Sequence, residues 1–359
     1  MKIIILIDNL SSGGAQKRAV VLSHLLKNSG NEVQLLTYGK DCFFKKEIET
    51  FGLNHVLVQC NGYLSRIKKV VSYLKKESPQ VLITFLEVPN FLGCLSRFLG
   101  AKFKLITTEC SSKDSSFEGR NRIFNFFERY ADFKVCNSEN AKKKWEKHFP
   151  EFKNKLRVIY NPVIVENNHT NYSIRCNGKT EIVVAASYQG LKNPLGMIEA
   201  VNILSDQEKK KLIIRWYGRK EITDGDSSVF ERSIEQIEKY NLQNTIYLYP
   251  ETKEIHNKMI EADAVALFST VEGLPNSICE ALVLGKPIIM SRVSDYEVLV
   301  NGNGFSFDPE SNEDIANSIR KLIQTSDNEL VKMGDQSKMI ANHYFKTEKI
   351  VAEWSNLFN

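Results

Sequence analysis

The sequence predicts an α/β protein built from two doubly wound parallel sheets. Three observations carry this. Short apolar, β-branched runs alternate with longer amphipathic stretches; the alternation lapses once, in a polar segment at 161–177, and then restarts; and 359 residues suffice for two domains of ~100–200 residues each. Hydrophobic residues at 42 % and charged residues at 25 % are ordinary globular proportions, which excludes disordered, collagen-like and mucin-like classes.

In the first half the apolar runs are Ile3–Ile7, Val33–Thr37, Val81–Phe85, Lys104–Thr107, Lys134–Asn137 and Arg157–Tyr160. Several are apolar on successive residues, as strands covered on both faces are. Between them lie helical patterns, such as Ala15–Asn28 with Ala15, Ala19, Leu22, Leu25 and Leu26 on one side. The polar lapse has Pro162 at its start and Gly178 just past its end, which reads as an interdomain linker. The runs resume at Ile182–Ala186, Leu212–Tyr217, Thr245–Tyr249, Ala264–Phe268, Pro287–Met290 and Gly304–Phe307. Ligands of such sheets bind outside the carboxyl ends of the strands, so two units face to face would make a cleft from two sets of those ends.

Several function classes drop out. No apolar run approaches the ~20 residues of a membrane-spanning helix. The N-terminal apolar stretch stops at Asp8, too short for a signal-peptide core. Seven scattered cysteines without CxxC spacing suit a reducing cytoplasm better than a disulfide framework or a zinc site. The six histidines show no i,i+4 or metal-like pairing, so no metal is expected. Asp224-Gly225-Asp226 reads as a turn. Serine and cysteine lack the setting of a nucleophile elbow, and covalent catalysis by either is not expected. Residues 1–165 carry 27 Lys+Arg against 15 Asp+Glu, near +12, and the remainder carries 21 against 28, near −7. A basic half suits nucleic acid, an anionic membrane, an acidic partner or simply solvent. No RNA-type aromatic motif or basic helical repeat favours nucleic acid.

Two segments carry the chemistry. Asp8-Asn9-Leu10-Ser11-Ser12-Gly13-Gly14-Ala15-Gln16 joins the first strand to the first helix. Paired glycines permit close backbone approach to a ligand, and a helix start favours anions. The segment lacks the G-x-G-x-x-G spacing of a dinucleotide site, which counts against a nicotinamide enzyme. The second segment, Thr270-Val271-Glu272-Gly273-Leu274-Pro275-Asn276-Ser277-Ile278-Cys279-Glu280-Ala281, follows a buried strand and opens a helix. A diphosphate suits that helix start, and Glu272 and Glu280 could accept hydrogen bonds from sugar or ribose hydroxyls.

The run EGLPNSICEALVLGKPII resembles the signature of glycosyltransferase family 4, retaining enzymes of the GT-B fold, in which seven residues separate two glutamates around a glycine-containing loop. Ser12–Gln16 is similar to that family's N-terminal glycine loop, and Val158–Val163 to its interdomain segment. Lys192-Asn193-Pro194 with Glu199-Ala200 resembles its phosphate-binding segment, and Trp216-Tyr217-Gly218 its strand-end glycine. The resemblance covers nearly the whole chain and implies two Rossmann-like parallel-sheet domains facing a cleft. Residues 1–165, joined by a C-terminal helix at about 341–359, would bind the acceptor, and residues 166–340 the nucleotide-sugar donor.

Carried over residue by residue, Glu280 would bind the ribose hydroxyls and Glu272 the donor sugar. Backbone amides around Gly273, Leu274, Pro275, Asn276 and Ser277 would hold the diphosphate. Lys192 would neutralise it and, with Glu272, would be catalytic, and Gly218 would belong to the donor site. Gly13 and Gly14 would line the acceptor side of the cleft. The implied partners are a nucleotide sugar, with UDP preferred to GDP, and a glycan or polyprenyl-linked acceptor. No cofactor and no nucleic acid are implied. The implied place is the cytoplasm, peripherally on the inner, anionic face of the membrane, in the building of a surface polysaccharide such as capsule or lipopolysaccharide.

Two departures stand out. The family usually has an arginine five residues before the lysine, where this chain has Ser187; Arg219 or Lys220 could substitute. Many members have a histidine or a Glu-Arg-Asn run after the fourth N-terminal strand, where this chain reads Thr108-Glu109-Cys110-Ser111. Glu109 aligns with the glutamate and becomes an acceptor-side catalytic candidate, with Cys110 in place of the arginine. Two rival readings stand beside the enzyme: a non-catalytic subunit of a complex, motivated by Ser187, and a nucleotide-sugar epimerase of the same fold.

Overall fold

The computed structural model describes residues 1–109, 117, 124–165, 178–221 and 225–359. The chain forms two compact units, Met1–Pro162 with Lys346–Asn359, and Val163–Phe345. The return to the first unit thus begins at Lys346, a few residues later than the sequence suggests. Of the linker, residues 166–177 lie outside the described residues.

In the first unit seven parallel strands lie in the order β3-β2-β1-β4-β5-β6-β7. They are β1 (Lys2–Leu6), β2 (Glu32–Thr37), β3 (Asn54–Leu57), β4 (Val81–Thr84), β5 (Lys104–Glu109), β6 (Phe133–Cys136) and β7 (Leu156–Val158). The helices are α1 (Gly14–Asn28), α2 (Lys45–Thr50), α3 (Tyr63–Glu77), α4 (Glu87–Phe98) and α5 (Glu139–His148). The unbroken apolar run of β1 follows from its place at the centre of the sheet. Successive side chains point to opposite faces. Ile3 and Ile5 accordingly pack with Leu22 and Leu26 of α1, while Ile4 and Leu6 pack with Val70 and Leu74 of α3 and Leu92 of α4.

The second unit has six parallel strands in the order β10-β9-β8-β11-β12-β13. They are β8 (Thr180–Ala185), β9 (Leu212–Tyr217), β10 (Ile246–Tyr249), β11 (Ala264–Leu267), β12 (Ile288–Ser291) and β13 (Gly304–Phe307). Its helices are α6 (Pro194–Ile203), α7 (Asp206–Lys210), α8 (Ser228–Lys239), α9 (Ile255–Glu261), α10 (Asn276–Val283), α11 (Tyr296–Leu299), α12 (Asn312–Gln324) and α13 (Asp327–Tyr344). Ile182 and Val184 of β8 pack with Met197 and Val201 of α6 and with Ile315 and Ile319 of α12. The last helix, α14 (Thr347–Asn356), belongs to the first unit, where Ile350 and Trp354 are buried in the core beside α1. Both sheets share one winding. The second strand lies on one side of the first and the fourth on the other, so the strand order reverses beside β1 and beside β8. Those reversals are where open α/β sheets hold ligands.

Candidate functional site

In the second unit the loop that carries Lys192 and the loop that carries Glu272 both open at the reversal. The loop after β8 carries Ser187 and Lys192, and the loop after β11 carries Glu272–Pro275 and leads into α10. Lys192 ends a single 3-10 turn, Gly190–Lys192, which stops at Asn193 in the left-handed conformation (φ 58°). Asn193 then caps α6, its Oδ1 accepting from the Gly196 amide at 3.1 Å, while its Nδ2 donates to the Pro309 carbonyl at 2.9 Å. On that anchored turn the Lys192 Nζ donates to Glu272 Oε1 at 2.5 Å, across eighty residues of sequence. Ser269 Oγ donates to the same oxygen at 2.7 Å. The Thr270 amide donates to the Leu191 carbonyl at 2.9 Å, so backbone also joins the two loops.

The Gly273 carbonyl accepts from the Ser294 hydroxyl, and Leu274 is buried beneath the loop. Pro275 stands at the N-cap of α10, which opens with Asn276 and Ser277 and has no side-chain cap. The dipole of that helix favours an anion placed above it. Glu280, in the second turn, is buried, and His256 Nε2 at the start of α9 lies 3.4 Å from its Oε2. At the end of β9 a Cβ on Gly218 would stand 1.9 Å from the Ala186 carbonyl oxygen, so the close approach of the β8 and β9 ends needs glycine there. The buried Tyr188 hydroxyl, 2.9 Å from the carbonyls of Trp216 and Tyr249, ties the same strand ends together. Of the two substitutes for the missing arginine, Arg219 and Lys220 are both exposed, and the Lys220 Nζ rests 4.4 Å over the Phe230 ring.

The reversal of the first unit is different in character. Burial pushes the Asp8 carboxyl up from its ordinary range, against the pull of the Asn9 amide, which donates to Oδ1 at 2.6 Å. Gly13 precedes α1 with φ −176°, a conformation open to any residue, and a Cβ there would meet only the end of the Gln16 side chain. Gly13 thus leaves space without supplying a special backbone shape, and Gly14 begins α1. After β4, Leu86 adopts φ 76° and ψ 162°, a region glycine prefers, at a cost of ~1–3 kcal/mol. Glu109 is the last residue of β5, and its Oε2 accepts from the Trp145 indole N–H at 2.9 Å. Cys110, Ser111 and Ser112 lie outside the described residues, as does Asp224. Asp226 accepts from the Ser228 amide at 2.9 Å at the start of α8, the turn role expected of it.

The structure thus brings Lys192 and Glu272 into contact beside the start of the helix that carries Glu280. It also adds residues that the sequence reading passed over. His256 stands 24 residues from Glu280 and shares no spacing with it, whereas Ser269 lies three residues before Glu272, just outside the segment singled out. Lys134 and Trp145 gave one available signal, a lysine inside an apolar run, since a buried ammonium demands a carboxylate. Among the described residues no group of three His, Cys, Asp or Glu could hold a metal ion, and no helix is long and apolar enough to cross a membrane.

Residues 168–339 match the family model described as glycosyl transferases group 1, and residues 12–167 that described as glycosyltransferase family 4. An uncharacterized glycosyltransferase of Methanocaldococcus jannaschii is 26 % identical over 174 residues, a match spanning 46 % of this chain and 41 % of that protein. The Campylobacter jejuni GalNAc-alpha-(1->4)-GalNAc-alpha-(1->3)-diNAcBac-PP-undecaprenol alpha-1,4-N-acetyl-D-galactosaminyltransferase is 23 % identical over 79 % of this chain and 77 % of its own. The amylovoran biosynthesis glycosyltransferase AmsD of Erwinia amylovora is 24 % identical over 100 % of this chain and 99 % of its own. Among solved structures, Anabaena HepE in complex with UDP superposes with a TM-score of 0.84 at 18 % identity, covering 99 % of both chains.

Proposed function

Because this chain is a glycosyltransferase of GT-B fold, we propose that it transfers a hexosyl sugar from a UDP-sugar to a hydroxyl of a polyprenyl-linked glycan, with retention at the anomeric carbon. The observation that carries this reading is the Lys192–Glu272 pair, 2.5 Å apart, at the strand-order reversal of the second unit and beside the uncapped start of α10. A departing nucleoside diphosphate gains negative charge. A fixed ammonium and a helix start next to it stabilise that charge as it develops, without a metal ion. In this reading Glu280 receives the ribose hydroxyls, Glu272 the donor sugar, and the first unit the acceptor, with Glu109 facing the acceptor hydroxyl. UDP is supported by the UDP complex of HepE, and a polyprenyl diphosphate acceptor by the Campylobacter enzyme's substrate. Surface polysaccharide synthesis is supported by the amylovoran relative.

Retention is the outcome implied by the family resemblance, with the leaving phosphate taking the acceptor proton on the same face. Proton NMR of the first product formed from an α-linked UDP-sugar tests it. An α-anomeric signal is expected; a β-linked product would overturn retention, and interconversion of the free nucleotide sugar without acceptor would point to an epimerase.

The proposal includes peripheral docking of the basic first unit on an anionic membrane. Helix α3 carries Arg66, Lys68, Lys69, Lys75 and Lys76, and its start exposes Tyr63 and Leu64. Each basic residue near an anionic surface contributes ~1 kcal/mol within a Debye length. The protein is expected to sediment with phosphatidylglycerol vesicles at low salt and to be released at high salt. Equal binding to neutral and anionic vesicles, or none to either, would contradict electrostatic docking.

A further inference from the structure

The carboxyl ends of β1 and β2 bring a carboxylate and a guanidinium together in the first unit. Asp8 follows β1, beside the reversal, and stands before the loop that leads into α1. Its carbonyl accepts from the Tyr38 and Gly39 amides at 3.1 and 2.7 Å. A Cβ on Gly39 would stand 2.8 Å from the Asn9 Cβ, so glycine there lets the turn after β2 close on Asp8-Asn9. Asn9 Oδ1 accepts from the Ser11 amide at 3.0 Å, which holds the other side of the same stretch. Tyr38 is buried on that turn, and Arg66 of α3 lies over it, its Cζ 4.6 Å from the ring centre. Arg66 is half-buried, and its Nε is enclosed without a hydrogen bond. Lys68, Lys69, Lys75 and Lys76 of the same helix are exposed, so Arg66 is the basic residue of α3 that turns toward the end of β2.

Asp8 is half-buried too. The Asn9 amide donates to one of its oxygens at 2.6 Å. Burial pushes the carboxyl up from its ordinary range, more strongly than the Arg66 charge draws it down. The two groups feel each other's charge, yet among the described residues neither forms an ion pair with the other or with a third group. Charged groups drawn out of water and left out of a salt bridge cost folding free energy, and such groups gather at functional sites. Their chemistry selects the ligand. An ionised carboxylate only accepts and a guanidinium only donates, so side by side they match neighbouring hydroxyls, each of which does both. An anion suits Arg66 but is opposed by Asp8, and a cation suits Asp8 but is opposed by Arg66.

We propose that Asp8 and Arg66 form a subsite for an uncharged pyranosyl residue of the acceptor, Asp8 accepting from one ring hydroxyl and Arg66 donating to its neighbour. This rests on the reading of the chain as a glycosyltransferase whose first unit takes the acceptor. The hydroxyls held are not the one that reacts, so the subsite serves binding and selection of the acceptor rather than bond making.

Transfer is measured from a panel of UDP-sugars to p-nitrophenyl glycosides of glucose, galactose and their 2-acetamido forms. Asp8→Asn and Arg66→Gln are each expected to raise the acceptor KM about 10-fold, the scale of a lost hydrogen bond to a charged group, with kcat and UDP affinity near wild type. Monodeoxy glycosides separate a contact from a structural effect. Removal of one ring hydroxyl should cost the wild type about 10-fold and cost Asp8→Asn nothing further. Unchanged KM in both variants, or deoxy losses that are the same in wild type and Asp8→Asn, would overturn the inference. Competition by inorganic pyrophosphate at saturating UDP-sugar, lost in Arg66→Gln, would overturn it in favour of an anion site. A wild type that binds UDP but no glycoside of the panel, read by saturation-transfer NMR, would also overturn it. A wild type that binds no UDP would count against the proposed function itself, and glycoside binding by wild type and Asp8→Asn in the same NMR experiment would then still decide the subsite.

Discussion

Lys192→Ala is expected to reduce turnover by ~100-fold or more while weakening ground-state UDP binding much less. The Lys192 ammonium is paired with Glu272 Oε1, which also accepts from Ser269. A bound diphosphate competes for that ammonium, and the competition tips toward the phosphate as the sugar–phosphate bond breaks and negative charge builds on the leaving group. The interaction is therefore stronger in the transition state than in the ground state, which is what raises kcat. The family's usual arginine is Ser187 in this chain, which places more of the work on the single lysine. Steady-state turnover and calorimetric UDP affinity, measured on the same preparation, separate the two effects. Turnover equal to wild type would remove Lys192 from the reaction and favour a non-catalytic role for the chain. Ser187→Arg is expected to move donor affinity the other way.

Much of this arrangement is legible in the sequence, for a physical reason. Strands covered on both faces must be apolar at successive positions, so β1, β4, β8 and β11, which flank the two reversals, stand out as runs of Ile, Val, Leu and Ala. The run that escapes notice is β3, Asn54–Leu57, an edge strand whose residues are exposed or half-buried and so carries no continuous apolar signal. The buried face of α1 is also wider than the helical spacing suggests. Val20 and Val21 are buried along with Ala19, Leu22 and Leu26, because α1 is packed by both the sheet and α14.

For the site, Glu272, Glu280 and the opening of α10 share one short segment, and local chemistry reveals them. Partnerships made by the fold are different. That Lys192 reaches Glu272 across eighty residues, or that Lys134 of β6 meets both Glu128 and the end of β5, follows from strand order and register, which no local pattern encodes. The glycine pair shows the opposite limit. Its spacing suggests a special backbone, yet Gly13 is extended and only its lack of a side chain distinguishes it.

The second unit is expected to bind the nucleoside diphosphate of the donor, with Glu280 on the ribose. Glu280 is buried in the second turn of α10, with His256 Nε2 3.4 Å from its Oε2, beside the helix start that would face the diphosphate. Two ribose hydroxyls donating to it would each make a hydrogen bond to a charged group, and their loss should be costly. Hydrogen bonds to a charged group are worth ~1.5–3 kcal/mol, so Glu280→Ala is expected to weaken UDP binding on the order of 10–100-fold. Calorimetric titration of UDP into wild type and into Glu280→Ala measures this directly. Saturable binding by the wild type and a constant about 10–100-fold weaker for the variant are expected. Failure of the wild type to bind UDP, or equal affinities for the two proteins, would contradict that expectation.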